Sequence, residues 1–168
     1  MGDIITQVDK YKKGWVGGLP ETQCGSGSMM RNTELQRGWI PGIVEKYGIK
    51  TVADIGAGDL NWVKSMNWDV EYTPYDLVPR HPEVQPFNLL EKNPPKVDMI
   101  MCLWVLNHLP FLHCRQAIKN IKASGAKYLL MTDRPIWREE QPPEIVMPFV
   151  EQIILNEKDD SIRLIKLR

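Results

Sequence analysis

Short apolar runs, broken by glycine, proline and charged stretches and separated by segments of helical periodicity, set the hydrophobic pattern of this chain. Leu35, Trp39, Ile40, Ile43, Val44 and Tyr47 recur at the spacing of one helix face, and Thr33-x-x-Gln36 in front of them matches a capping box. The pattern predicts a helix that opens at Thr33 and ends at Gly48. Pro41-Gly42 should kink or divide it, because proline removes a backbone donor. A second helix is expected after Pro110, with Cys114, Ile118 and Ile121 on its apolar face and Ser124-Gly125 at its end. Leu60 to Met66 also reads as helical. Strand-like runs lie at Lys50 to Ile55, Val70 to Tyr75, Val84 to Phe87, Val97 to Leu103 and Lys127 to Thr132, with a final pair at Glu151 to Leu155 and Ile162 to Leu167.

Val97 to Leu103 is nearly all apolar, as expected of a strand covered on both faces of a parallel sheet. Strands alternating with helices and closed by a hairpin make a doubly wound α/β plan with one antiparallel addition. One domain over residues 1–168 is expected: a loop or lid segment over 1–32, rich in glycine and serine and carrying Trp15, and an α/β core over 33–168. The stretch from 133 to 149, with Pro135, Pro142, Pro143 and Pro148, reads as a surface excursion.

Composition narrows the function classes. The 168 residues carry 21 Lys plus Arg against 21 Asp plus Glu, so the basic excess of a nucleic-acid coat is missing. Arg115, Lys119 and Lys122 share a helix face and read as solvated. Cys24, Cys102 and Cys114 show no CxxC spacing, which points to a reducing, cytoplasmic setting. The longest apolar run, Met99 to Leu106, falls far short of the roughly 20 residues that cross a bilayer. Together, Cys102, His108, His113 and Cys114 fit no common zinc spacing, so no metal is expected.

The sharpest chemical signal is Asp54-Ile-Gly56-Ala-Gly58-Asp59, at the end of a strand. Glycines there let backbone approach a ligand closely, and amides at the start of a following helix would receive an anion. A dinucleotide fingerprint would place a third glycine where this chain has Asn61. Two carboxylates bracket the glycines and would repel a pyrophosphate, whereas S-adenosylmethionine, with a positive sulfonium and ammonium, matches an acidic turn. Asp76 follows the second strand, 22 residues after Asp54, about the separation at which an acid meets ribose hydroxyls in this plan.

These residues carry a resemblance. Val-Ala-Asp54-Ile-Gly56-Ala-Gly58-Asp59, Tyr75-Asp76-Leu77 and Met101 to Leu109 resemble motifs of the class I S-adenosylmethionine-dependent methyltransferases. Gly25-Ser-Gly-Ser28, Arg37-Gly-Trp39-Ile-Pro41 and Val105 to Leu109 resemble a bacterial and phage subgroup of them, over residues 24 to 133. The resemblance implies a Rossmann-like fold with a mostly parallel seven-stranded sheet and a C-terminal antiparallel hairpin. It also implies methyl transfer from S-adenosylmethionine as cofactor to an acceptor the motifs do not identify. Carried over position by position, Gly56 and Gly58 flank the methionine end, Asp54 meets its ammonium directly or through water, and Asp59 joins the cofactor-binding residues. Asp76 takes the ribose, Leu77 packs on adenine, Asn88 and Leu89 meet the adenine edge, and Leu103 and Trp104 line the methyl-donor pocket. Ser26 and Ser28 close the methionine end. Two departures concern the acceptor side: Leu103-Trp104 stands where relatives often carry Arg-Asp, and the segment after the fifth strand is short.

His108 has two readings, a general base near the acceptor or a packed or capping histidine at the next helix. Asn93-Pro94-Pro95-Lys96 imitates an amino-methylating motif, but it precedes the fourth strand and lacks the aromatic. Other function classes stay open at this level: a cofactor-binding accessory protein without methyl transfer, an enzyme consuming the cofactor by another route, and an NAD-linked oxidoreductase.

Overall fold

The structure is a computed structural model that describes residues 19–133, 148–155 and 160–168. Trp15, most of the proline-rich excursion and the hairpin loop lie outside the described residues.

Seven strands form one sheet: β1 (Thr51–Ile55), β2 (Glu71–Asp76), β3 (Gln85–Pro86), β4 (Met99–Cys102), β5 (Tyr128–Asp133), β6 (Phe149–Ile154) and β7 (Ser161–Lys166). Their order is β3-β2-β1-β4-β5-β7-β6. The neighbours from β3 to β5 pair in parallel, and β7 enters antiparallel between β5 and β6. The expected α/β plan and terminal hairpin are therefore present. Chain order reverses between β1 and β4, and in open α/β sheets the crevice at such a reversal is where ligands bind.

Among the described residues, two helices cover the two faces. Helix α1 (Glu34–Lys46) sends Ile40, Ile43 and Val44 against Met99, Met101, Leu130 and Leu164. Helix α2 (Phe111–Ala123) sends Ala117, Ile118 and Ile121 against Ile100, Cys102, Leu129 and Met131. The alternation along β4 explains why this run shows no polar position: each successive residue meets a different helix, and all four are buried.

Several local expectations fail for identifiable reasons. No capping box forms at α1. The Thr33 hydroxyl donates instead to the carbonyls of Met29 and Met30, at 3.0 and 3.2 Å. Leu35 is 52% exposed rather than buried, one step off the stripe that meets the sheet. Helix α1 runs undivided through Pro41; the proline costs about 3 kcal/mol, but Ile40, Ile43 and Val44 around it each contribute roughly 1.5–3 kcal/mol by burial. Leu60 to Met66 forms no helix beyond a 3-10 turn at Val63–Ser65. Leu60 sits at φ 61 with its side chain in the core, so core packing overrides helical continuation. Among the described residues no helix is long and apolar enough to cross a membrane.

Candidate functional site

At the carboxyl ends of β1, β2 and β4 lies a cavity of about 490 Å³. Its base is the glycine turn after β1. The amides of Gly56 and Ala57 both donate to the Tyr75 carbonyl, at 2.8 and 3.0 Å, fastening the turn to β2. Gly56 at φ +92 and Gly58 at φ +63 occupy backbone that L side chains rarely adopt. A Cβ at Gly56 would stand 2.2 Å from Val105 Cγ2, and one at Gly58 would stand 2.6 Å from Cys24 Sγ. The chain's own side chains thus press on both glycines. Because no helix follows the turn, the helix-end amides expected to receive an anion are absent at this place.

Two carboxylates face the cavity, Asp54 buried and Asp76 partly buried. Asp54 is 5% exposed and accepts a 2.6 Å hydrogen bond from the Tyr72 hydroxyl. Burial pushes its carboxyl up to about 7; the Tyr72 bond opposes that shift and the charge of Asp76 adds to it. Asp76 accepts the Gly58 amide on one oxygen and the Val78 amide on the other, both at 2.9 Å. Burial raises its pKa, against the pull of those amides and of Arg80. Each Asp76 oxygen keeps a lone pair for a further donor.

Apart from Asp59, the cofactor-site residues expected from the sequence line this one cavity: Asp54, Gly56, Gly58, Asp76, Leu77, Asn88, Leu89, Leu103, Trp104, Ser26 and Ser28. His108 joins them, half-buried in the 3-10 turn Leu106–His108. Trp104 holds a positive φ of 57, with its amide donating to the Thr132 hydroxyl at 2.9 Å. The side chain of Asn88 is engaged by its own turn, donating to Glu91 and accepting the Leu90 amide.

Asp59, also expected at the cofactor site, lies off the cavity lining. Its Oδ2 accepts the Thr22 hydroxyl at 2.7 Å and the Gln23 amide at 2.8 Å. Asn61, which stands where a dinucleotide fingerprint needs glycine, donates to Glu21 and to the Ser28 carbonyl, both at 2.8 Å. Residues 21 to 30 are therefore a strap tied to the turn, which brings Ser26 and Ser28 to the cavity wall. Both ties span more than thirty positions of chain, so no local pattern announces them.

Sequence reasoning also missed Tyr72, Trp62, Arg80 and Phe87, of which the last three line the cavity. It missed Asn120 as well, whose buried amide donates to the Leu89 carbonyl at 2.7 Å and steadies the adjoining loop from α2. Tyr72 had a usable signal. In the parallel register Asp54 faces Pro74, so Tyr72, two residues before Pro74, shares its side of the sheet.

No protein-family model and no curated protein sequence matches the chain. Solved structures do. The methyltransferase domain of bacterial CtHen1-C superposes with a TM-score of 0.61 at 12% identity, over 80% of this chain and 98% of that one. A magnesium protoporphyrin IX methyltransferase from Synechocystis PCC 6803, with bound S-adenosylhomocysteine, gives 0.58 at 11% identity over 95% and 92% of the two chains. The mitomycin 7-O-methyltransferase MmcR gives 0.57 at 12% identity, over 80% of this chain and 53% of its own. The chain spans about half the length of that last protein. At such identities the likeness is one of fold: this sheet and hairpin are those of Rossmann-like methyltransferase domains.

Proposed function

We propose that the chain binds S-adenosylmethionine in the cavity above β1, β2 and β4 and transfers its methyl group to an acceptor. The observation that carries this reading is the pair of acids, the buried Asp54 and the partly buried Asp76, beside a glycine turn that opens no helix. A pyrophosphate would need helix-end amides and would meet two carboxylates there, whereas a cationic nucleoside meets complementary charge. The shape agrees, since pockets for such ligands span about 300–1,000 Å³. Three of the structures sharing this fold were solved with S-adenosylmethionine or S-adenosylhomocysteine bound: two of a magnesium protoporphyrin IX methyltransferase and one of an O-methyltransferase from neocarzinostatin biosynthesis.

Asp54 would hold the methionine ammonium, Asp76 the ribose hydroxyls, and Leu77, Phe87 and Leu89 the adenine. Leu103 and Trp104 would wall off water beside the reacting carbon, and the Gly25–Ser28 strap would cover the methionine end. When bound, S-adenosylmethionine supplies an electrophilic methyl on a sulfonium. The protein then has chiefly to align the acceptor and exclude water, so no catalytic triad is required. His108, on the same wall, would take the proton of an oxygen acceptor; a nitrogen acceptor would need less help. The motif likeness to a bacterial and phage subgroup belongs to this proposal and brings no acceptor with it.

The test is methyl-labelled S-adenosylmethionine with the full chain and fractionated extracts. The reading expects label on an acceptor with matching S-adenosylhomocysteine. Saturable cofactor binding without either product would replace it with the accessory, binding-only reading.

A further inference from the structure

We propose that Tyr72 is a positioning residue for Asp54: its hydroxyl aims the carboxylate into the cavity, so that the ligand's ammonium meets an oriented anion and its binding expels one proton. The inference rests on the S-adenosylmethionine reading and deepens it.

Asp54 is inside the protein, and the hydrogen bond from Tyr72, at 2.6 Å, holds one of its oxygens. Tyr72 cannot swing away freely, because its ring packs against Trp68 with centroids 5.5 Å apart. Burial and the neighbouring Asp54 push the Tyr72 hydroxyl well above its ordinary range, so it stays a donor throughout the working pH. An anionic Asp54 gains from that donor; a neutral Asp54 gains less. With its carboxyl near 7, Asp54 is partly protonated at neutral pH before ligand arrives. A cation docked on it favours the ionised form, and the proton leaves to solvent.

The other titratable groups around Asp54 are Asp76 from the end of β2, Cys102 from β4, and His108 across the cavity. Arg80 stands beside Asp76. Cys102 is buried and its thiol is pushed up, so it remains neutral. Asp76 carries its own two amide bonds, which Tyr72 does not touch.

The experiment is calorimetric titration of the full chain with S-adenosylmethionine from about pH 5.5 to about pH 8.5, in buffers of different ionisation heat. Methylthioadenosine, which has the nucleoside but no ammonium, is the control. Wild type should show an acid limb near the Asp54 value of about 7 and release of one proton below it. In Tyr72→Phe, which keeps the ring packing, the limb should move up by about one pH unit, weakening binding roughly tenfold at mildly acid pH. Methylthioadenosine should stay flat in both proteins. Superimposable profiles for Tyr72→Phe and wild type would overturn the inference, as would equal losses for both ligands or disappearance of the limb in His108→Gln. If wild type takes up no S-adenosylmethionine at any pH, the functional reading itself falls, and this inference with it.

Discussion

Alanine at Gly56 measures how far the glycine turn is shaped by the protein's own packing. The backbone there sits at φ +92, where an L side chain costs about 1–2 kcal/mol. The added Cβ would also lie 2.2 Å from Val105 Cγ2, and relieving such an overlap inside packed structure costs about 1–3 kcal/mol. Together the two effects take about 2–5 kcal/mol from a stability of about 5–15 kcal/mol. They are separable. Val105→Ala deletes Cγ2 and leaves Val105 Cβ at 3.7 Å, an ordinary contact, so it removes the overlap but not the backbone strain. In urea denaturation of wild type, both single variants and the double variant, the double should be about 1–3 kcal/mol more stable than the singles added together. Additivity within about 0.5 kcal/mol would refute the reasoning and leave backbone strain as the sole reason for glycine.

Asp59→Ala should loosen the strap while sparing the core. Losing its bonds to Thr22 and Gln23 removes about 1.5–3 kcal/mol of local docking, so amide exchange at Ser28 and Met30 should quicken roughly 10- to 150-fold with little change in global melting; unchanged exchange would mean the strap is held elsewhere. Asp98 should matter only above strong acid. Its hydrogen bond with Lys127, helped by the Lys50 and Thr51 amides, holds its carboxyl down to about 2. Since the folded value lies below the unfolded one, its contribution is complete above about pH 4 and fades as the pH drops toward 2. The stability gap between wild type and Asp98→Asn should be level from neutral pH to about 4 and close below it; a constant gap would show that the charge is not what matters. Arg163→Met should destabilise by roughly 1.5–3 kcal/mol, because it removes the charge-assisted hydrogen bond to Asp133, which is 9% exposed and paired to Arg163 at 2.9 Å; a loss under about 1 kcal/mol would mark the pair as a weak surface contact.

The sheet was legible because burial on both faces leaves a compositional mark: Met99 to Cys102 has no polar position, and each of the seven strands was found close to its true place. Asp54, Gly56, Gly58 and Asp76 were legible because strand ends put chemistry at fixed sequence offsets. What was illegible depends on contacts distant in sequence. Leu60 looked helical, yet it is drawn into the core at positive φ and breaks the helix expected over Leu60 to Met66. Asp59 and Asn61 looked like ligand residues or motif defects, and instead fasten a strap from residues far upstream. The glycines were read as making room for a ligand, and they also make room for Val105 and Cys24. Tyr72 stood in plain view on β2, and only the β1–β2 register gives it a role.

Calorimetric titration of the full chain with S-adenosylmethionine and, separately, NAD, repeated on Asp76→Ala, tests the electrostatic assignment of the cavity most directly. The account predicts saturable heat with S-adenosylmethionine, at least about tenfold weaker in Asp76→Ala, and none with NAD. Heat with NAD and silence with S-adenosylmethionine would contradict it.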